Sequence, residues 1–358
     1  MERIKFNPEE IKVSALDGEL QIATPISPKE NWKAVIEGKN PLWFPMALES
    51  KGFTPRLEPD NKSRAFINDG QLPVVPKEEQ GGPDMFGVEW VYVPVAGGSM
   101  VKPGKPMLED ACDWKDVIKF PNVNDWDWET CAAENREHLK AEGIKTWTFL
   151  NGSMYERLIS FMDFEGAAMA LIDEDQKDAV IELLNKIADD VYMPYIENIQ
   201  KYFGDLIDVI CLHDDWGAQR APFFSLATAR EIFVPILQKF RKKCNECGFI
   251  FELHSCGANE MLVPAYIEGG VQHWKGMAKI NDKRKYYDTW GQEFVFGVDA
   301  PDVASDMNAA KEDLEAAAKE FCEFFIRDGK VHAIANIART NPYFKECVYK
   351  ISREMLNA

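Results

Sequence analysis

From Phe249 to Gly257 the chain reads FIFELHSCG. The apolar residues crowd into a short run that ends on glycine, which predicts a strand over Phe249–Ser255. The sequence before it, Leu226–Gly248, has the spacing of a helix, and so does Met261–Gly269 after it. Working outward, the alternation repeats. Strands are expected at 42–46, 86–94, 145–150, 209–212, 271–274, 294–298 and 331–335. Helices are expected over Trp126–Gly143, Met154–Met162, Asp175–Phe203, Asn308–Asp328 and Tyr343–Leu356. Repeated strand–helix alternation implies a parallel sheet. Eight strands predict an α/β chain closed into a single (β/α)8 TIM barrel. An open doubly wound sheet is the alternative. No GxGxxG follows a strand and no GxxxxGK[ST] is present, so dinucleotide and P-loop readings lose support.

Two regions lie outside the alternation. Residues 1–26 read as an N-terminal extension with short strand-like pieces (Ile11–Val13, Leu20–Ile22), leaving 27–358 for the barrel. Residues 50–85, rich in Pro, Gly, Asp and Lys, read as one of the long early loops. Between them, Ser27, Pro28 and Glu30 form a capping-box helix start.

The whole chain has 358 residues, 46% of them hydrophobic and 28% charged, enough for a sizeable core. Its 59 acidic and 41 basic residues leave a formal charge of -18. Such a surface repels phosphate backbones and anionic lipid, which argues against nucleic-acid and peripheral membrane partners. No stretch approaches the roughly 20 apolar residues of a membrane span. The polar start, Met1–Glu10, and the dilute cysteines point to a cytoplasmic chain with reduced thiols.

In a barrel, chemistry collects at the C-terminal ends of the strands. His213, His254 and His273, three of the five histidines, lie on or just after strands at that side. Alternation along the strand puts Glu252, His254 and Cys256 on one face. Imidazole, thiolate and carboxylate together suit zinc. The plainer reading is a buried thiol and a histidine satisfied by backbone. His254, Cys256, Glu252 and His213 are therefore the candidate metal ligands. Asp214-Asp215-Trp216-Gly217 orients substrate or supports a ligand, or else is a turn cluster of the kind Asp favours. Asp299 ends the strand at 294–298, and Asp215 and Asp299 are the candidate catalytic acids. Trp90, Tyr155 and Trp216 are candidates for an aromatic pocket, and ordinary core packing is their other reading. Cys244-x-x-Cys247 has no second pair and reads as coincidence.

At these residues the chain resembles the uroporphyrinogen decarboxylase superfamily, from about 27 to 356. The likeness rests most on His213-Asp214-Asp215-Trp216-Gly217 and Glu252-Leu253-His254-Ser255-Cys256-Gly257. Weaker parts are the opening Ser27–Gly38, Met154–Met162 and Phe296-Gly297-Val298-Asp299. The resemblance implies a (β/α)8 barrel with its site at the C-terminal mouth.

Two branches of that superfamily differ in chemistry. True decarboxylases carry an Arg-Gln-Ala-Gly-Arg stretch after the first strand, to grip substrate carboxylates. Here Pro45-Met46-Ala47-Leu48-Glu49-Ser50-Lys51 stands in its place, and Met46 is the substrate-side residue there. The corrinoid-dependent methyltransferases resemble this chain through H-x-C as zinc ligands. Their thiol-activating members add a Cys after the last strand, where this chain has Ala335-Asn336-Ile337-Ala338-Arg339. Ligation with one thiolate plus N and O donors leaves a more Lewis-acidic metal, suited to weakening an ether C–O bond. The resemblance thus implies a zinc-dependent methyltransferase. It would take methyl from a small methoxylated donor, an aryl methyl ether being one, to the cobalt of a corrinoid (cobalamin) protein. The alternatives are a decarboxylase-like lyase acting on a porphyrinogen or smaller acid, and a thiol methyltransferase of the coenzyme M type. The partners expected are the corrinoid protein and the donor, and the assembly allowed for is a homodimer.

Overall fold

The computed structural model describes residues 2–140, 142–150, 154–276, 279–337 and 339–357. Seven strands make one parallel sheet: β1 (Ser50–Phe53), β2 (Ile144–Phe149), β3 (Val209–His213), β4 (Ile250–His254), β5 (His273–Lys275), β6 (Val295–Asp299) and β7 (Ala333–Asn336). Their order in space is their order in the chain. Each neighbour is reached by a crossover, most of them helical, as parallel pairing requires. The sheet curls into a half-barrel consistent with a TIM-like barrel. It does not close as a ladder between β1 and β7. A single parallel bridge, Met46 with Ala335, ties the segment before β1 to β7, and Ala335 N donates to Pro45 O at 2.8 Å.

Two of the eight expected strands fail in this sheet. Over 42–46 only Met46 makes a bridge, although Leu42, Trp43 and Phe44 are buried. Their backbone is satisfied by side chains instead of by a neighbouring strand. Asn31 Oδ1 accepts from Leu42 N at 2.7 Å, Asn31 Nδ2 donates to Trp43 O at 3.0 Å, and Ser352 Oγ accepts from Phe44 N at 3.0 Å. The strand that opens the sheet is β1, inside the stretch read as loop. Over 86–94 a strand does form, Glu89–Val93, but it is the centre of a separate antiparallel sheet with Gly81–Pro83 and Gly98–Val101. Among the described residues the parallel sheet therefore has seven strands, not eight.

The helices follow the expected places more closely. Ser27 and Glu30 form the capping box of Pro28–Ile36. The expected 175–203 helix runs as Lys177–Ile187, a wide turn Ala188–Tyr192, and Met193–Phe203. The expected 226–248 helix runs to Cys247, where Gly248 at φ 78 ends it. The expected 126–143 helix is Trp128–Leu139, and Ala141 within that range lies outside the described residues. In the extension, Ile11–Val13 pairs with Gln21–Ile22. Glu10 beside it takes Arg353 Nη2 of the last helix at 2.8 Å. No helix among the described residues is long and apolar enough to cross a membrane.

Candidate metal centre and adjoining cavity

Strands β3, β4, β5, β6 and β7 end on His213, His254, Lys275, Asp299 and Asn336. The ladder puts His213 opposite His254, and His254 opposite Lys275. Side chains directly opposite in a ladder share a face. The two imidazoles accordingly stack, with ring centroids 4.4 Å apart.

The loops after β3 and β4 bring two further donors to these rings. Cys256 Sγ lies 3.3 Å from His254 Nε2, and Asp215 Oδ1 lies 3.8 Å from the same nitrogen. One donor atom each from His213, Asp215 and His254 fall within 4.8 Å of one another. The loops are locked together by their backbones. Cys256 N donates to Asp215 Oδ1 at 2.7 Å, and Ala258 N donates to Ala218 O at 2.8 Å. The contact needs glycine on both sides. A Cβ on Gly257, which sits at φ +90, would stand 2.0 Å from Gly217 O.

Glu156 completes the arrangement from the first turn of the helix Tyr155–Ala170. Its Oε2 is 2.7 Å from His213 Nδ1, and its Oε1 is 3.5 Å from Arg64 Nη1. With Nδ1–H directed at Glu156, the Nε2 lone pair of His213 is left for a metal, as in carboxylate–histidine–zinc arrangements. Burial opposes the charge on Glu156, but His213 and Arg64 outweigh it and hold the carboxyl at about 2. Burial likewise opposes protonation of His213, yet Glu156 keeps its pKa above the ordinary value. For His254, burial and then the neighbouring His213 and Lys275 press the pKa down to about 3, so the ring is neutral at physiological pH. A neutral imidazole is the form that binds metal. Burial raises Asp215.

Asp214 builds the site without facing it. Its carboxylate accepts from Tyr155 N at 3.0 Å, Glu156 N at 2.8 Å and the Trp216 indole at 2.5 Å, so it holds the helix start against the loop. Burial, then Glu156, raises it to about 7. Tyr155 and Trp216 are fully buried in a cluster with Phe224 and Phe233, the packing reading rather than the pocket. Met46 is buried at the β7 bridge. Glu252 lies one layer deeper than His254, bound to His273 Nδ1 at 2.5 Å, and is not part of the His213–Asp215–His254 group. Asp299 stands across the mouth, taking Lys283 Nζ at 2.6 Å and Asn336 Nδ2 at 3.1 Å. Ala338, in the segment after the last strand, lies outside the described residues.

A cavity of about 660 Å³ adjoins the cluster and meets it at Glu156 and Arg64. Its walls include Trp90, Val101, Ile159 and Phe164. Trp90 is thus the one aromatic candidate placed in a pocket wall. The Arg64 guanidinium lies over its ring at 5.1 Å. Asp163, also in the wall, has φ 61 and breaks the helix. The break goes with an accessory contact: Phe161 O accepts from Leu108 N at 2.9 Å, pinning the loop that carries Pro103 to Met107 over the cavity. Glu156, Arg64 and the wall residues other than Trp90 are not among the sequence-derived candidates. The signal for Glu156 was its place at a helix start inside Met154–Met162.

No family model matches the chain, and no curated protein matches it. Among solved structures, a methyltransferase from Methanosarcina mazei is similar, with a TM-score of 0.59 and 14% identity, over 93% of this chain and 100% of that one. At that identity the likeness is one of fold.

Proposed function

We propose that this chain is a zinc-dependent methyltransferase of the corrinoid-dependent branch of the uroporphyrinogen decarboxylase superfamily. It would move methyl from a small methoxylated donor to the cobalt of a partner corrinoid protein. The observation that carries this reading is the meeting of His213, Asp215 and His254 at the C-terminal mouth, with the Cys256 thiol beside His254 and His254 held neutral. Two imidazoles, a carboxylate and a thiol fit zinc in number and kind. Zinc held there supplies Lewis acidity that turns an ether oxygen into a better leaving group. The chain's own residues do the rest. Glu156 fixes the His213 ring by its Nδ1. Asp215 ties the Cys256 backbone to the loop after β3. The apolar wall of Trp90, Val101, Ile159 and Phe164 suits the ring of an aryl methyl ether and excludes water from it. The neighbour's name, methyltransferase, agrees with the reading.

The test is direct. Zinc-loaded protein is mixed with reduced cobalamin and a set of methoxybenzenes, and methylcobalamin is followed by its absorbance. The expected result is methyl transfer that His254→Ala abolishes. Carbon dioxide released from a porphyrinogen, without any cobalt acceptor and undiminished in His254→Ala, would replace the reading with the decarboxylase one.

A further inference from the structure

Three side chains stand abreast at the mouth in register across β3, β4 and β5: His213, His254 and Lys275. The first two belong to the ligand group. Lys275 lies outside that group. Its side chain is 40% exposed. Its ammonium lies 4.0 Å from Glu252 Oε1, an ion-pair distance too long for a hydrogen bond. Glu252 is buried and pinned from the other side by His273 Nδ1 at 2.5 Å. Glu252 Oε1 has no hydrogen-bond partner among the described residues. The next strand offers Gly297 beside Lys275, where a Cβ would stand 3.6 Å from the Lys275 Cα, so no side chain covers the ammonium from there. A small space of about 20 Å³, room for one water, opens between Lys275, Glu252, His273 and Gly297. The result is a cation steadied from below by a buried carboxylate. Its hydrogen-bond donors are not spent on any acceptor of the described residues.

We propose that Lys275 is a further catalytic residue, whose ammonium binds the oxyanion, a phenolate in the aryl case, that remains when the methyl group departs. The inference rests on the methyl-transfer reading. In the step, the C–O bond breaks and its electron pair stays on oxygen. The methyl carbon bonds to cobalt of the reduced corrinoid, which supplies both electrons and is oxidised by two. Lys275 keeps its protons and donates a hydrogen bond to the new negative charge. The donor ether oxygen carries no charge, so the contact is stronger after bond breaking than before, which is the condition for acceleration. Loss of such a donor lowers kcat by roughly 10²-fold or more.

The test reads product binding and needs no cobalt. 4-Nitrophenol, whose phenolate absorbs in the visible, is titrated from acid to base in the presence of protein, zinc-loaded and zinc-stripped. Wild type is expected to bind it and lower its pKa by about one unit, a tenfold preference for the phenolate. Lys275→Arg should keep most of the shift. Lys275→Met and Lys275→Gln, shown by circular dichroism and zinc content to be folded and loaded, should lose it while still binding the neutral phenol. If Met and Gln variants retain the wild-type shift, the role of Lys275 is overturned and the methyl-transfer reading stands. If wild type binds no nitrophenol at any pH, the role of Lys275 falls with the aryl donor, and the methylcobalamin assay decides the methyl-transfer reading separately.

Discussion

The imidazole rings of His213 and His254 lie face to face, their centroids 4.4 Å apart and their planes 13° from parallel. Two protonated rings would repel at that distance, and burial together with His213 keeps His254 neutral. A shared cation gives both nitrogens a partner. One zinc ion per chain is expected to bind, measured by competition against a chromogenic chelator. His254→Ala and Cys256→Ser should each remove most of that affinity. Glu156→Gln, which touches the ligand His213 without being a ligand itself, should lower it by roughly 10- to 100-fold. Equal affinity in wild type and Glu156→Gln would separate Glu156 from the metal.

Gly257→Ala tests the loop contact that brings Cys256 to His254. The added carbon would sit 2.0 Å from Gly217 O, on a residue at φ +90. The loops must part, so the variant should lose stability by more than about 1 kcal/mol and lose zinc affinity with it. Urea denaturation with and without zinc reads both. A wild-type midpoint would show that the approach of the two backbones does not hold the site.

Glu58 has no exposed surface and accepts from Tyr195 Oη at 2.8 Å. Burial, then the charge of Asp60, raises its pKa well above the ordinary 4.5. A carboxyl whose folded pKa is raised contributes stability that is whole below pH 4.5 and is lost as pH climbs toward the raised value. Glu58→Gln, a mimic of the protonated form, should therefore weaken the decline in stability between pH 5 and 8, read as urea midpoints at both. The same decline in variant and wild type would contradict this.

Arg157 is the cation that holds the cavity wall. It pairs with Asp84 at 2.7 Å and with Asp60, all three fully or almost fully buried. Asp84 in turn accepts from Phe86 N, Val88 N and the Trp90 indole. Arg157→Met leaves two carboxylates without their cation and should cost about 3–5 kcal/mol. A loss below 1 kcal/mol by denaturation would show that the network is not what fixes Trp90.

The sequence made the sheet legible where apolar runs meet turn residues, as in β3, β4 and β6. It hid β1, because Ser50-Lys51-Gly52-Phe53 has neither alternation nor β-branched residues. The alternation over 86–94 revealed a strand but could not tell which sheet it joins, since local periodicity carries no information about the partner. His213 and His254 stood out because each ends a strand, and Cys256 because it follows His254 by two positions. Glu252 shares the face of His254 but sits about 6–7 Å down the strand, a full layer. Glu156 and Arg64 meet His213 from other elements, a relation that exists only in three dimensions. Lys275 is two positions from His273, which drew the attention instead.

X-ray data collected above and below the zinc absorption edge, on crystals of zinc-loaded protein, locate the metal. One anomalous peak is expected at the barrel mouth, about 2.0–2.1 Å from His254 Nε2 and about 2.3 Å from Cys256 Sγ. A zinc ion bound elsewhere, or a mouth without a peak in protein that binds zinc, would contradict it.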